Sequence, residues 1–268
     1  IMPIIVFILN TILAFKLDNI VKFIQYDLVE YFINTVVILV CSSILAVFIS
    51  FILAYFMSFY NFKYKKVIEI LLILPMSIPV YIGAYSYGSI FSVTGIVYQS
   101  TNILVNIMSI WGLIFVYVIF LYPYIYIPLR AYLSKFDANL FENHLLLNNS
   151  EFKLIKKIVF PLSIPTIFLG LSFFIFEIFS DYGAAKYFGV ETFAQAINQS
   201  WFFLNDISLT FFITLITGVI YLLFYIIKYI YTRNKSYVNQ GNKSIKLNKL
   251  NVKHKIIFFS TSILIVCF

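Results

Sequence analysis

Charge is absent from long stretches of this chain. Residues 31–62, 70–129, 158–176 and 207–227 contain no Asp, Glu, Lys or Arg, and 1–15 and 256–268 are shorter apolar runs of the same kind. A bilayer core of about 30 Å is crossed by roughly 20 predominantly apolar residues of helix. The runs therefore predict spans near 1–15, 32–57, 67–88, 106–128, 162–180 and 208–230, with a further span opening at 256. Such continuous runs are unlike the short alternating segments of a membrane β-barrel. Backbone groups in hydrocarbon must then be satisfied within each helix. The predicted fold is all-α: a polytopic membrane protein.

Composition agrees with the pattern. Of 268 residues, 62% are apolar, 20% aromatic and 11% charged, and the mean hydropathy is +0.96. Soluble domains carry about 25% charged residues. A secreted disulfide scaffold, a disordered chain and an ordinary cytosolic enzyme are excluded. The net charge of +8 changes the picture only through its placement. With the 58–66, 129–161 and 231–255 loops in the cytoplasm, sixteen of the nineteen basic residues, Lys228 included, lie on that side. This is the positive-inside asymmetry of a multi-pass protein. The segment 231–255 has seven cations, no acid and several Asn. It reads as a solvated topology signal touching anionic lipid, with no nucleic-acid partner. Candidate covalent chemistry is missing from the sequence. Cys41 and Cys267 both lie in apolar runs, His144 and His254 are far apart, and no Gly-rich phosphate loop or metal-ligand spacing occurs. No cofactor is expected. The opening run lacks a basic n-region and a small-residue cleavage site, so it reads as part of a span rather than a signal peptide.

One cytoplasmic loop is long and patterned. In 136–161, Leu140, Phe141, Leu145 and Leu147 interleave with Asp137, Glu142 and His144. Asn148-Asn149-Ser150-Glu151 then breaks the run before a second stretch leading to Pro161. Asn tolerates the left-handed turn that ends a helix, and Ser is a good N-cap. A helix–turn–helix at the membrane surface is predicted, either resting in headgroups or docking a soluble partner. Two acids fall at the outer end of the fifth span. Glu177 and Asp181 are four residues apart on one helical face, where an ionisable group costs about 2.5 kcal/mol or more on insertion scales. They read as a translocation-pathway pair, as acids reaching the outer headgroups, or as caps for the loop containing Gly183 and Gly189. Pro75 and Pro79 interrupt the third span, for a pathway-lining hinge or a packing kink.

The spacing in the loop resembles that of bacterial ABC-importer permeases. They carry a Glu, a Gly six residues on, and a Pro thirteen beyond the Gly; Glu142, Asn148 and Pro161 stand at those intervals. Asn148 replaces the Gly, and Asn143 and His144 replace two small residues. The segment from Phe176 through Glu177, Asp181-Tyr182-Gly183 and Tyr187-Phe188-Gly189-Val190-Glu191-Thr192-Phe193 resembles the ferric-iron permeases, with thiamine permeases as relatives. Asn34-Thr35, Pro75 and Pro79 also sit where that family has them.

The resemblance covers about residues 30–232. It implies a six-helix ABC-importer permease core with a cytoplasmic coupling helix, in a bacterial inner membrane. The implied organisation is a partial first span and extracytoplasmic loop (1–30), a permease domain (31–232, coupling loop 136–161), a basic linker (233–255) and the start of another span (256–268). The chain would then be the first of two permease halves. The implied function is passage of ferric iron from an extracytoplasmic binding protein, driven by a separate cytoplasmic ATPase. Glu142, Asn148, Ser150 and Pro161 would couple to that ATPase, and Glu177, Asp181, Gly183 and Pro79 would line the pathway. Thiamine or polyamine transport, or a polytopic membrane enzyme or anchor, are the alternatives.

Overall fold

A computed structural model describes residues 17–103, 106–135, 151–233 and 248–249. Glu142, Asn148 and Ser150 lie outside the described residues, as do the apolar runs at either end. Helices dominate. α1 (Leu17–Lys22) passes through a π-turn (Phe23–Asp27) into α2 (Leu28–Phe59). Next come α3 (Lys65–Ile73) with a 3-10 turn (Leu74–Ser77), α4 (Val80–Ile90), α5 (Ile96–Thr101), α6 (Ile110–Leu121) and α7 (Pro123–Leu133). After the loop, α8 (Glu151–Leu154) runs through a second π-turn (Ile155–Val159) into α9 (Phe160–Ser180). α10 (Gly183–Phe188) and α11 (Phe193–Asn198) are short, and a third π-turn (Gln199–Phe203) precedes α12 (Ile207–Thr232). The one strand pairing among the described residues is a two-residue parallel bridge, Tyr60–Asn61 with Asn248–Lys249.

Four stretches are long and apolar enough to cross a membrane: Leu17–Phe59, Ile110–Leu133, Phe152–Ser180 and Ile207–Thr232. A fifth is the bent pair Lys65–Ser77 and Val80–Ile90. Two boundaries differ from the sequence expectation, and the third span bends where its prolines were expected to interrupt it. Residues 17–30, expected to hold a loop, are helical and continue into the next span, because the π-turn absorbs the charged stretch without breaking the backbone ladder. The 67–88 span is broken, because Pro79 forces Ile78 into an extended conformation (φ −103°, ψ 123°). The fifth span begins well before 162. Pro161 has no N–H to offer its own turn, and the preceding π-turn lets the helix run past it instead of ending there.

The chain divides into two compact units. One comprises Ile1–Ser42, Pro79–Tyr117 and Ile175–Phe224, the other Ser43–Ile78, Val118–Phe174 and Tyr225–Phe268. α2 contributes to both and shows why it packs as it does. Ile38, Ser42, Ala46, Ser50 and Ala54 recur every fourth residue and are fully buried. Small side chains on one stripe let neighbouring backbones approach closely, the usual basis of helix association in lipid. In the second unit the Ser50 hydroxyl donates to the Tyr122 carbonyl at 3.0 Å, and the Phe51 ring meets Phe160 edge-on at 5.3 Å. Also in this unit, α9 crosses α7 at Gly170. A Cβ there would lie 2.6 Å from Ile125 Cα and 2.9 Å from the Tyr124 carbonyl oxygen. That carbonyl is the one Pro128, four residues on, cannot serve. α12 faces outward along Leu215, Val219, Leu222, Leu223, Ile226 and Ile230, all exposed and suited to hydrocarbon.

Candidate translocation site

The first unit gathers the pathway residues expected from the sequence. Pro79 stands at the N-cap of α4, and its carbonyl accepts from the Ile82 and Gly83 amides at 3.0 and 3.4 Å. α4 then packs on α10. Gly183 opens α10 against Tyr81, where a Cβ would fall 2.9 Å from the Tyr81 Cβ. The Tyr85 and Tyr187 rings lie 4.1 Å apart at 45°, and Gly88 leaves room for Tyr187. Glycine is required at Gly189, which ends α10 at φ +67°.

Asp181 follows the last residue of α9. Its Oδ1 accepts the Ala184 amide at 3.2 Å, so it caps α10. Burial pushes the Asp181 carboxyl above the usual carboxylate range. Hydrogen bonds from Ala184, Tyr117 and Gly183 oppose that rise, and the charge of Glu177, one turn earlier, adds to it. The pair therefore meets: two carboxylates at the outer end of one span, beside the start of α4. At Asp181 the structure shows the capping contact.

Other residues of the resemblance are structural. The Asn34 amide donates to the Glu191 carbonyl at 3.1 Å, and Thr35 Oγ1 accepts the Phe193 amide at 3.2 Å. Together they hold the chain that enters α11, whose N-cap Thr192 accepts the Gln195 amide at 3.4 Å. The Lys186 ammonium lies over the rings of Tyr182 and Phe203, at 5.2 and 5.5 Å.

Sequence reasoning missed two groups. Glu191 faces Glu30 and Asp27, and its carboxyl is raised first by burial and then by those two charges. Acids so far apart in sequence carry no local signal of meeting. Asp206 caps α12 through the Leu209 amide at 3.1 Å and accepts from Asn19 Nδ2 at 2.7 Å. An Asp just before an uncharged run is an N-cap signal, and it was readable. Among the described residues no three His, Cys, Asp or Glu side chains cluster to hold a metal. Of the coupling set, Pro161 lies in the first turn of α9 in the second unit.

Five membrane-length apolar elements, one of them a proline-broken pair, define a multi-pass membrane protein. Residues 46–237 match the family described as binding-protein-dependent transport system inner membrane component, and the chain belongs to it. It is thus an inner-membrane, transport-permease protein. Among curated relatives, the spermidine/putrescine transport system permease protein PotC of Haemophilus influenzae is 28% identical over 111 residues, 41% of this chain and 39% of that protein. The PotC proteins of Escherichia coli and Shigella flexneri are 27% identical over 111 residues, covering 38% of each. The match thus spans under two fifths of each relative's length.

Proposed function

We propose that the chain is the transmembrane permease subunit of an ATP-driven ABC importer, and that its solute is a cation handed over by an extracytoplasmic binding protein. The observation that carries this reading is the Glu177–Asp181 pair at the outer end of α9, within a chain of the binding-protein-dependent family. Acids in a low-dielectric mouth raise the local concentration of a cation. No covalent step is asked of the permease. ATP hydrolysis belongs to a separate cytoplasmic subunit, docked on 136–161 through Glu142, Asn148, Ser150 and Pro161. The outward apolar face of α12 suits membrane lipid or a second permease half. Alternating access then rests on two states with different affinity for the solute.

Ferric iron is the first reading of the cation, from the resemblance of 176–193. A polyamine is the second, favoured by the names of the curated relatives. Vesicles holding the whole importer, given labelled ferric iron or labelled spermidine with the loaded binding protein, separate them. ATP-dependent iron uptake that excess spermidine leaves intact supports the first reading. Spermidine uptake instead supports the second, and uptake of neither removes the cation assignment. The coupling assignment has its own test in co-purification of the ATPase with the permease. Glu142→Ala is expected to lower its retention several-fold, and deletion of 148–150 to lower it further. Undiminished retention in both removes that assignment.

A further inference from the structure

Glu69 is the single acid between Glu30 and Asp137 in the sequence, amid Lys63, Lys65, Lys66, Arg130 and Lys135. The fold pairs it with one of these. In the second unit the Arg130 guanidinium, in the last turn of α7, reaches Glu69 on α3 with Nε to Oε1 at 3.4 Å. The same guanidinium donates through Nη1 to Ser58 Oγ, at the end of α2, at 3.5 Å. Both partners are mostly covered, Arg130 at 19% and Glu69 at 34% exposure. Around them the connection is short and closed. Tyr64 takes a left-handed turn (φ 66°), and Lys65 Nζ donates to the Tyr60 carbonyl at 2.8 Å. Just before α7, the Tyr122 hydroxyl donates to the Leu72 carbonyl of α3.

The pair sits where the ends of α7 and α2 meet the middle of α3. α7 leads straight into the 136–161 segment, and α3 leads through the 3-10 turn to the break at Ile78–Pro79. A single ion pair whose acid is about a third exposed adds little to stability. What it fixes is registry: one guanidinium, ion-paired to Glu69 and hydrogen-bonded to Ser58, ties the ends of α7 and α2 to the middle of α3. We propose that Glu69 and Arg130 are positioning residues that join α7 to α3, so that displacement of the segment after α7 is passed to the helix that bends at Pro79. This rests on the permease reading above.

The test uses the whole importer in vesicles, reading uptake per ATP hydrolysed alongside the apparent melting temperature and ATPase retention. Glu69→Gln and Arg130→Gln are each expected to cut uptake per ATP by roughly tenfold, the size of an ordinary coupling between sites. Assembly and melting temperature are expected to hold. The reversed pair, Glu69→Arg with Arg130→Glu, is expected to recover uptake to within about twofold of wild type. Single variants that transport with wild-type efficiency overturn the proposal. So does a loss of uptake that tracks a loss of melting temperature and is not recovered by the reversed pair, since that marks a merely structural contact. If the wild-type assembly shows no ATP-dependent uptake, the permease reading itself falls, and the link falls with it.

Discussion

Uptake by the Glu177→Gln/Asp181→Asn variant is expected to fall about ten- to a hundredfold at low solute, with the loss in KM rather than in the limiting rate. The reason is that the two carboxylates act on the approach of a cation, and neither substitution removes bulk. Asn at 181 keeps an oxygen for the Ala184 amide, so the start of α10 survives. Asp181→Ala removes the cap as well and is expected to add about 1 kcal/mol of destabilisation, readable as a lower melting temperature. Salt should shrink the difference between wild type and the neutral variant, because screening weakens the charge it measures. Acidity supplies a second check. Burial raises the Asp181 carboxyl, so folding favours its protonated form. Stability from that form is present at low pH and is lost as pH rises through the group's own midpoint. Uptake needs the opposite state, so it should decline on acidification at a higher pH than an ordinary carboxylate gives, and the Asp181→Asn variant should lack that component. Normal uptake by the double variant at low solute would falsify the pathway role.

Gly170→Val is expected to cost about 1–3 kcal/mol and to lower both yield and melting temperature in detergent. The obstruction is backbone rather than a movable side-chain tip: Ile125 Cα and the Tyr124 carbonyl stand where the new Cβ must go. α9 and α7 can part only by giving up the contact around them. Gly170→Ala should show the same sign with a smaller effect. Gly218→Ala is the matched control, because nothing lies within 4 Å of a Cβ at that position. There the loss of backbone freedom in the unfolded chain makes alanine neutral to stabilising. Equal melting temperatures for Gly170→Val and wild type remove the close-approach account.

What the sequence disclosed and what it withheld follow one rule. Absence of charge is a local signal, and it located the five described spans. Break and continuation are decided by backbone hydrogen bonding, which hydropathy does not register. Pro79 therefore interrupts a span that composition reads as continuous, while Pro161 does not end one that composition reads as starting later. Long-range pairing was hidden for a different reason. Glu69 and Arg130 bound the uncharged run 70–129 and were informative only as its edges, though they meet in space. The Glu177–Asp181 pair was legible because one helical turn separates its members. Its relation to Tyr117 and to α10 was not, since those contacts depend on how the helices assemble. Cation class stayed open because both readings place acids at the same mouth.

The three π-turns share a geometry whose effect is angular. Each widens a helix by about one residue, and one residue of α-helix is worth about 100° of rotation. The side chains before and after such a turn are therefore indexed to different faces, although the axis carries on. At Ile155–Val159 this sets the azimuth at which Lys153 and its neighbours leave the bilayer relative to the face that α9 shows α7. Removing one residue there would let the turn close to ordinary α-helix with both flanking faces kept, whereas regularising it at full length would turn Lys153 by about 100° relative to α9.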